Sequence, residues 1–375
     1  MNASANIIAA RLRNQLLHGA APATTAPDVV RWMGAVQAQD YAAAKWAVAQ
    51  RAGMLTSTDL DQALADASIL RTHVLRPTWH FVVPADIRWM LRLTAPRVKA
   101  LMAFGNRESG FDEATLTRSN RLIAAALKDG RQLTRVELGD ALRRAGIDFP
   151  NLIALGRLMV NAELDGVICS GALRGKQRTY ALLDDRVPAT KKMDRDTALA
   201  ELASRYFASH GPATIKDFAW WSGLSVADCT AAVTHAQTRL AQTSVGGIAH
   251  WSASGGQRTS LRRANRAHLL PNFDEYTVGY ADRDPIRDMD HLPTFDQRGD
   301  ILNSVVIIDG RVAGTWKRSL QRTTVRVAIT LFRPSSDEEA AAVVDAADRY
   351  GRFLELRAEV ELRLAPSGTA SSASR

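Results

Sequence analysis

Two glutamines near the start of the chain, Gln37 and Gln39 in Val36-Gln37-Ala38-Gln39-Asp40-Tyr41, have the types and spacing to do chemistry. On an extended backbone, residues i and i+2 share a face, so both carboxamides can point into one cleft. Each amide offers an acceptor oxygen and two N–H donors, enough to orient a water without acting as a strong base. Taken alone, such a pair also matches an ordinary polar helix end. Asp40 is the rival base, but on an extended segment it faces away from Gln39 and suits support or helix capping better. Lys45 carries an amine able to attack a sugar, although contact with phosphate or a cleft wall fits it better. His73 and His80 can share a strand face, yet no third ligand accompanies them and no metal is expected. Asp274-Glu275-Tyr276 has the look of an acid or metal site in isolation, and reads better as structural hydrogen bonding. No phosphate loop, dinucleotide fingerprint, zincin motif or nucleophile elbow occurs, and no cofactor is expected.

The charge pattern points to a polyanion. The 375 residues carry a formal charge of +9, supplied mostly by arginine, whose fork matches phosphate geometry. Double-stranded DNA is the expected partner. Candidate contacts are Arg51, the cationic turn Arg174, Lys176 and Arg178, the later group Lys317, Arg318 and Arg322, and the run Arg258, Arg262, Arg263 and Arg266. Cys169 and Cys229 lie far apart without zinc-ligand spacing, which fits a reducing, cytoplasmic setting. The first apolar stretch, from Ile7, is broken by Arg and Asn, so no signal peptide is expected. No run reaches the ~18 apolar residues of a membrane span.

The elements that must position these residues follow a tripled pattern of short helices followed by a β-rich stretch, the winged helix-turn-helix order. The spacing predicts helices over Ile7–Leu17, from Pro27, and from Thr56 or Ser57, then strands at 69–76 and 78–83 with a bend at Pro77. In the second unit, Thr134-Arg135-Val136-Glu137 matches a capping box, Leu152–Leu164 reads as a recognition-type helix, and 167–169 with 179–183 form a wing. In the third, Thr214 and Ser225 open helices, and the Trp220-Trp221 pair reads as core. Asp309-Gly310 marks a hairpin between 301–308 and 311–316, a further strand covers 323–332, and 337–364 is expected to close the chain as helix. The expected class is therefore α+β, mainly helical, with three tandem winged helix-turn-helix motifs and a C-terminal β-barrel. The divisions fall at 1–110, 111–190, 191–257 and 258–365, with a disordered tail at 366–375.

Five segments, taken in order, resemble the bacterial winged-helix DNA glycosylases of the AlkZ and YcaQ type. They are 36–51, Arg71 to His80 (Arg-Thr-His-Val-Leu-Arg-Pro-Thr-Trp-His), Phe218 to Leu224, Leu269 to Tyr276, and Gly310 to Trp316. The resemblance runs over nearly the whole chain, and Gln-Ala-Gln is similar to the AlkZ branch rather than to the YcaQ branch, which has Asp at the second position. It implies a C-shaped, monomeric body that hydrolyses the N-glycosidic bond of N7-alkylguanine and unhooks interstrand crosslinks, with Gln37 and Gln39 as the catalytic pair. In that family the activity serves self-resistance to the crosslinking natural product azinomycin B. Asp40, Trp79 and His80 would then line a lesion pocket. The competing reading is a winged-helix transcriptional regulator or another non-catalytic DNA binder.

Overall fold

The computed structural model describes residues 3–18, 23–53, 55–255, 266–287 and 303–365; the expectations for Arg258, Arg262, Arg263 and the 366–375 tail lie outside these. The fold is α+β with helix the larger share. The first stretch runs α1 (Ala3–Asn14), α2 (Ala26–Met33), β1 (Val36–Gln37), α3 (Tyr41–Ala52), α4 (Ser57–Ala65), β2 (Leu70–His73), β3 (Trp79–Val82) and α5 (Pro84–Glu108). Helix starts follow local chemistry. Thr25 caps α2 with Pro27 in its first turn, Asp40 caps α3, and Thr56 with Asp59 forms a full capping box on α4. Each such cap contributes about 1 kcal/mol. The three short strands pair antiparallel in the order β1-β3-β2, with Gln37 opposite His80 and Thr72 opposite His80 on the far side.

The second stretch comprises α6 (Glu113–Leu127), β4 (Leu133–Thr134), α7 (Arg135–Arg144), α8 (Leu152–Leu164), β5 (Ile168–Arg174), β6 (Gln177–Leu182) and α9 (Leu183–Arg186). The Thr134–Glu137 capping box forms as the sequence predicts. The third comprises α10 (Arg195–His210), α11 (Ile215–Ser222), α12 (Val226–His235) and the hairpin β7 (Leu240–Val245) and β8 (Ile248–Ala253). The α6–α8 stretch has a core of its own, around Ile123, Leu138 and Leu158. The other large cores are shared between distant parts of the chain. One joins α2 and α3 to the C-terminal sheet through Trp46, Trp316 and Tyr350, and another joins β2 and α5 to α10–α12 through Leu75, Tyr206 and Trp221.

The last stretch is β9 (Ala267–Leu270), α13 (Glu275–Val278), β10 (Val305–Ile308), β11 (Arg311–Leu320), β12 (Thr324–Leu331), α14 (Asp337–Phe353) and β13 (Arg357–Leu364). The structure corrects two expectations in this stretch. Residues 357–364 are strand, parallel to β12, not helix. Their sequence alternates Arg, Ala, Glu, Val, Glu, Leu, Arg, Leu, a period of two that presents one apolar face. Nor does a closed barrel form among the described residues: the five strands lie in the open order β13-β12-β11-β10-β9. The apolar face that closure would bury is covered instead by α14, whose Val343, Ala347 and Tyr350 pack against Trp316, Val325 and Val327.

Candidate functional site

Gln37 and Gln39 sit where the β1 edge runs into α3. The backbone stays extended past β1, because the Ala38 N–H donates to the Trp79 carbonyl at 2.6 Å and the Ala38 carbonyl accepts from Arg71 Nε at 3.0 Å. Asp40 then accepts the Ala43 N–H at 3.1 Å as the N-cap of α3, which takes up the carboxylate in a structural bond. The two glutamines differ in setting. Gln39 is exposed and bonds to no described residue, while Gln37 is buried. The Gln37 carboxamide oxygen accepts from Arg76 Nη2 at 2.7 Å, and its backbone N–H donates to Glu275 Oε1 at 2.7 Å.

Glu275 is the centre of that anchorage. It is fully buried, accepts from Trp221 Nε1 at 3.0 Å through its other oxygen, and faces His210 Nε2 at 3.5 Å. Burial pushes its carboxyl up, but the contact with His210, the Arg76 charge and the Gln37 N–H outweigh burial and hold it at about 2. The neighbouring Asp274 is also fully buried, paired with Arg51 at 2.7 Å, and Tyr276 donates to the Gly310 carbonyl. The reading of Asp274-Glu275-Tyr276 as structural hydrogen bonding thus describes what these residues do.

The remaining candidates divide. Trp79 and His80 are successive residues of β3 and face opposite ways. His80 lies on the Gln37 row, fully buried, its Nδ1 bonded to the Thr78 carbonyl and its Nε2 without a partner among the described residues. Burial, then the Arg76 charge, drive its pKa down to about 3, so the ring is neutral. Trp79 lies on the other face, with Arg71 stacked 4.3 Å over its ring and His73 at 4.2 Å, so the two residues do not line one pocket. His73 is itself bonded to Glu163. Among the described residues no cluster of His, Cys, Asp or Glu could hold a metal.

Two expected phosphate contacts are corrected. Arg51 is sealed in the interior, where Asp274, Gln15 and the Ala47 carbonyl take up its guanidinium. Lys45 is buried too, its ammonium held by Ser57 and by Asp61 at 2.8 Å. Arg51 cannot leave without stranding the fully buried Asp274 carboxylate, and the Lys45 ammonium is itself buried and already held by half-buried Ser57 and Asp61, which argues against a nucleic-acid contact by either. Arg174, Lys176 and Arg178 are exposed at the β5–β6 turn, where Arg174 pairs with Glu137 and Arg178 lies 5.6 Å over the Tyr41 ring. Lys317, Arg318 and Arg322 are exposed at the far end of the β11–β12 hairpin, Arg318 also bonding to the Tyr350 hydroxyl. Arg266 is exposed as well. The tandem tryptophans part company: Trp221 is fully buried, whereas Trp220 is half exposed beside Arg283.

Sequence reasoning missed Arg76 as a site residue, and no local signal marks it. It becomes visible only when the β2–β3 turn is folded against Gln37.

A DNA glycosylase is what the comparisons define: the chain belongs to the family described as DNA glycosylase AlkZ-like, whose sequence model matches residues 30–353. It is similar to an interstrand DNA cross-link repair glycosylase of Streptomyces sahachiroi, 26% identical over 325 residues that make up 83% of this chain and 86% of that protein. The solved structure of DNA glycosylase AlkZ from the same organism matches with a TM-score of 0.77 and 25% identity, covering 96% of this chain and 98% of that one. Among the described residues no helix is long and apolar enough to cross a membrane.

Proposed function

We propose that the chain is a monofunctional glycosylase that releases N7-alkylguanine and related alkylpurines from double-stranded DNA, interstrand crosslinks included, with Gln37 and Gln39 as its catalytic pair. The observation that carries this is an extended edge holding one solvent-open amide and one anchored amide two residues apart, in a chain of the glycosylase family. The chemistry suits uncharged groups. Alkylation at N7 leaves the purine cationic, so the C1′–N9 bond breaks with its electron pair returning to the base, which departs neutral. Water adds to the oxocarbenium-like C1′ and its proton passes to solvent. Placing that water and stabilising the sugar are what remain for the protein, and carboxamides can do both.

Several further points belong to this reading. The helix–hairpin units serve as winged helices in a C-shaped, monomeric body divided near residues 110, 190 and 257. Lys176 and Arg178 on one hairpin and Lys317 and Arg322 on another track the phosphate backbone. The internal partners of Lys45 support hydrolysis without lyase chemistry, since that amine is not free to attack a sugar. A crosslinked base is tethered to the far strand, so attack in an open cleft is physically simpler than full extrusion into a closed pocket. Self-resistance to a crosslinking agent is the corresponding biological role.

Two measurements test it. Incubation with N7-methylguanine DNA followed by alkali should break strands at the modified guanines, and a site-specifically crosslinked duplex should be unhooked. Gln37→Ala or Gln39→Ala should slow base release by at least ~10²-fold while leaving DNA affinity nearly intact. Wild-type rates in both variants would refute the catalytic roles of the pair. Protection of one DNA sequence without any base loss would favour the regulator.

A further inference from the structure

The two glutamines are not equivalent in the structure, and the difference carries a division of labour. Arg76 is set against Gln37 by an unusual turn. Leu75 is fully buried with φ of +64°, a left-handed conformation that a leucine adopts only when its surroundings enforce it. Its N–H donates to Thr94 Oγ1 at 3.1 Å, and the turn is closed by the Arg76 N–H to the Val74 carbonyl and the Thr78 N–H to the Arg76 carbonyl, each 2.7 Å. From the other side Gly223 presses on it so closely that a Cβ there would lie 2.3 Å from the Leu75 carbonyl oxygen. The guanidinium that emerges from this turn donates to the Gln37 oxygen at 2.7 Å and reaches the Trp220 carbonyl at 3.5 Å. The Gln37 backbone is fixed independently by Glu275, so both ends of the residue are held. Its amino group bonds to no described residue and is not among the sealed, unpartnered polar atoms.

We infer that Arg76 is a positioning residue that turns the Gln37 oxygen away from the reacting centre and presents the Gln37 amino group to it, so that Gln37 acts as the donor and Gln39 as the acceptor of the pair. The guanidinium occupies and polarises the Gln37 oxygen, which weakens it as an acceptor and strengthens the N–H opposite. Gln37 then donates to the oxygen of the attacking water, and the Gln39 oxygen accepts one of its hydrogens, which orients a lone pair toward C1′. A free-standing glutamine would lose that orientation, because its two ends are nearly isosteric and interchange by rotation. The inference rests on the glycosylase reading but can fail separately from it, since the wild-type rate tests that reading and variants at residues 37, 39 and 76 test this one.

The experiment is single-turnover release of N7-methylguanine from a defined duplex, with DNA affinity measured in parallel. Gln37→Glu keeps an oxygen for Arg76 and removes the N–H donor, so it is expected to be as slow as Gln37→Ala. Gln39→Glu keeps the acceptor and is expected to be at least ~10-fold faster than Gln39→Ala. Arg76→Met should lower the rate at least ~10-fold without weakening DNA binding, and Arg76→Lys should recover part of the loss. A Gln37→Glu enzyme near the wild-type rate overturns the assignment, as does an Arg76→Met enzyme that binds DNA poorly yet turns over the bound complex normally. Should Arg76→Met not fold, the Gln37→Glu against Gln39→Glu comparison decides alone.

Discussion

At the scale of single residues, burial settles which charged and polar groups are free to act. His80 is neutral because burial disfavours the charged ring and Arg76 repels a second positive charge, which together outweigh the pull of Glu275 and of the Thr78 carbonyl. Its pKa of about 3, against an ordinary value of 6.5, ties it to stability. Between those values the unfolded chain binds the proton and the folded chain does not, so stability is fully present above pH 6.5 and declines as pH falls toward 3, by about 1.4 kcal/mol per pH unit. His210, fully buried and also lowered chiefly by burial, acts with the same sign. Glu275, held at about 2 against 4.5, adds its own loss only below pH 4.5. Denaturant midpoints measured from pH 7 to 4 should therefore fall steadily, and His80→Gln should flatten the decline; an unchanged slope would show that His80 titrates normally. The sequence displayed the glutamine pair and the capping role of Asp40, because both follow from residue type and spacing along one short segment. It misdirected the reading of Arg51 and Lys45. A cation is ordinarily solvated, and the carboxylate that buries Arg51 lies 223 residues further on, where no local pattern connects them.

At the scale of elements, the β2–β3 turn is where fold and chemistry meet, and Gly223 is the place to probe it. Gly223 has φ of +69° and no room for a side chain, so it meets both conditions that only glycine satisfies. Gly223→Ala is expected to destabilise the protein by more than ~1 kcal/mol and to displace Arg76, read as a lower unfolding midpoint together with slower base release. Retention of both would mean that α11 and the turn can separate without consequence. Most helices were legible through their starts, since Thr56, Thr134 and Ser225 all cap where expected. The misjudged element was β13. Its alternation of charged and apolar residues is plain, but it follows a strongly helical stretch, and the eye continues one period into the next. The open sheet was illegible for a different reason: whether strands close on themselves depends on what covers them, and in this fold α14 does so.

At the scale of the whole molecule, the cores divide the chain unevenly. Two of the large clusters are woven from remote segments, so α1–α5, α10–α12 and the C-terminal sheet depend on one another, whereas the α6–α8 stretch supplies most of its own interior and joins the rest mainly through Cys169 and through Leu164 against Ala95 and Val98. Native-state hydrogen exchange should accordingly show residues 113–182 opening as a separate cooperative unit, at lower free energy than the amides of β2, α10 and β12. Uniform exchange across all of them would indicate a single cooperative body instead. The weave was beyond a linear reading, because the tripled pattern suggests three equal, independent units and says nothing of which surfaces they share.

The bond from the Gln37 backbone to Glu275 spans 238 residues of chain. During synthesis both glutamines leave the ribosome early, long before the carboxylate that fixes their strand exists. A nascent chain that has not yet reached Glu275 therefore carries the two glutamines on a strand that its far anchor does not yet hold in place.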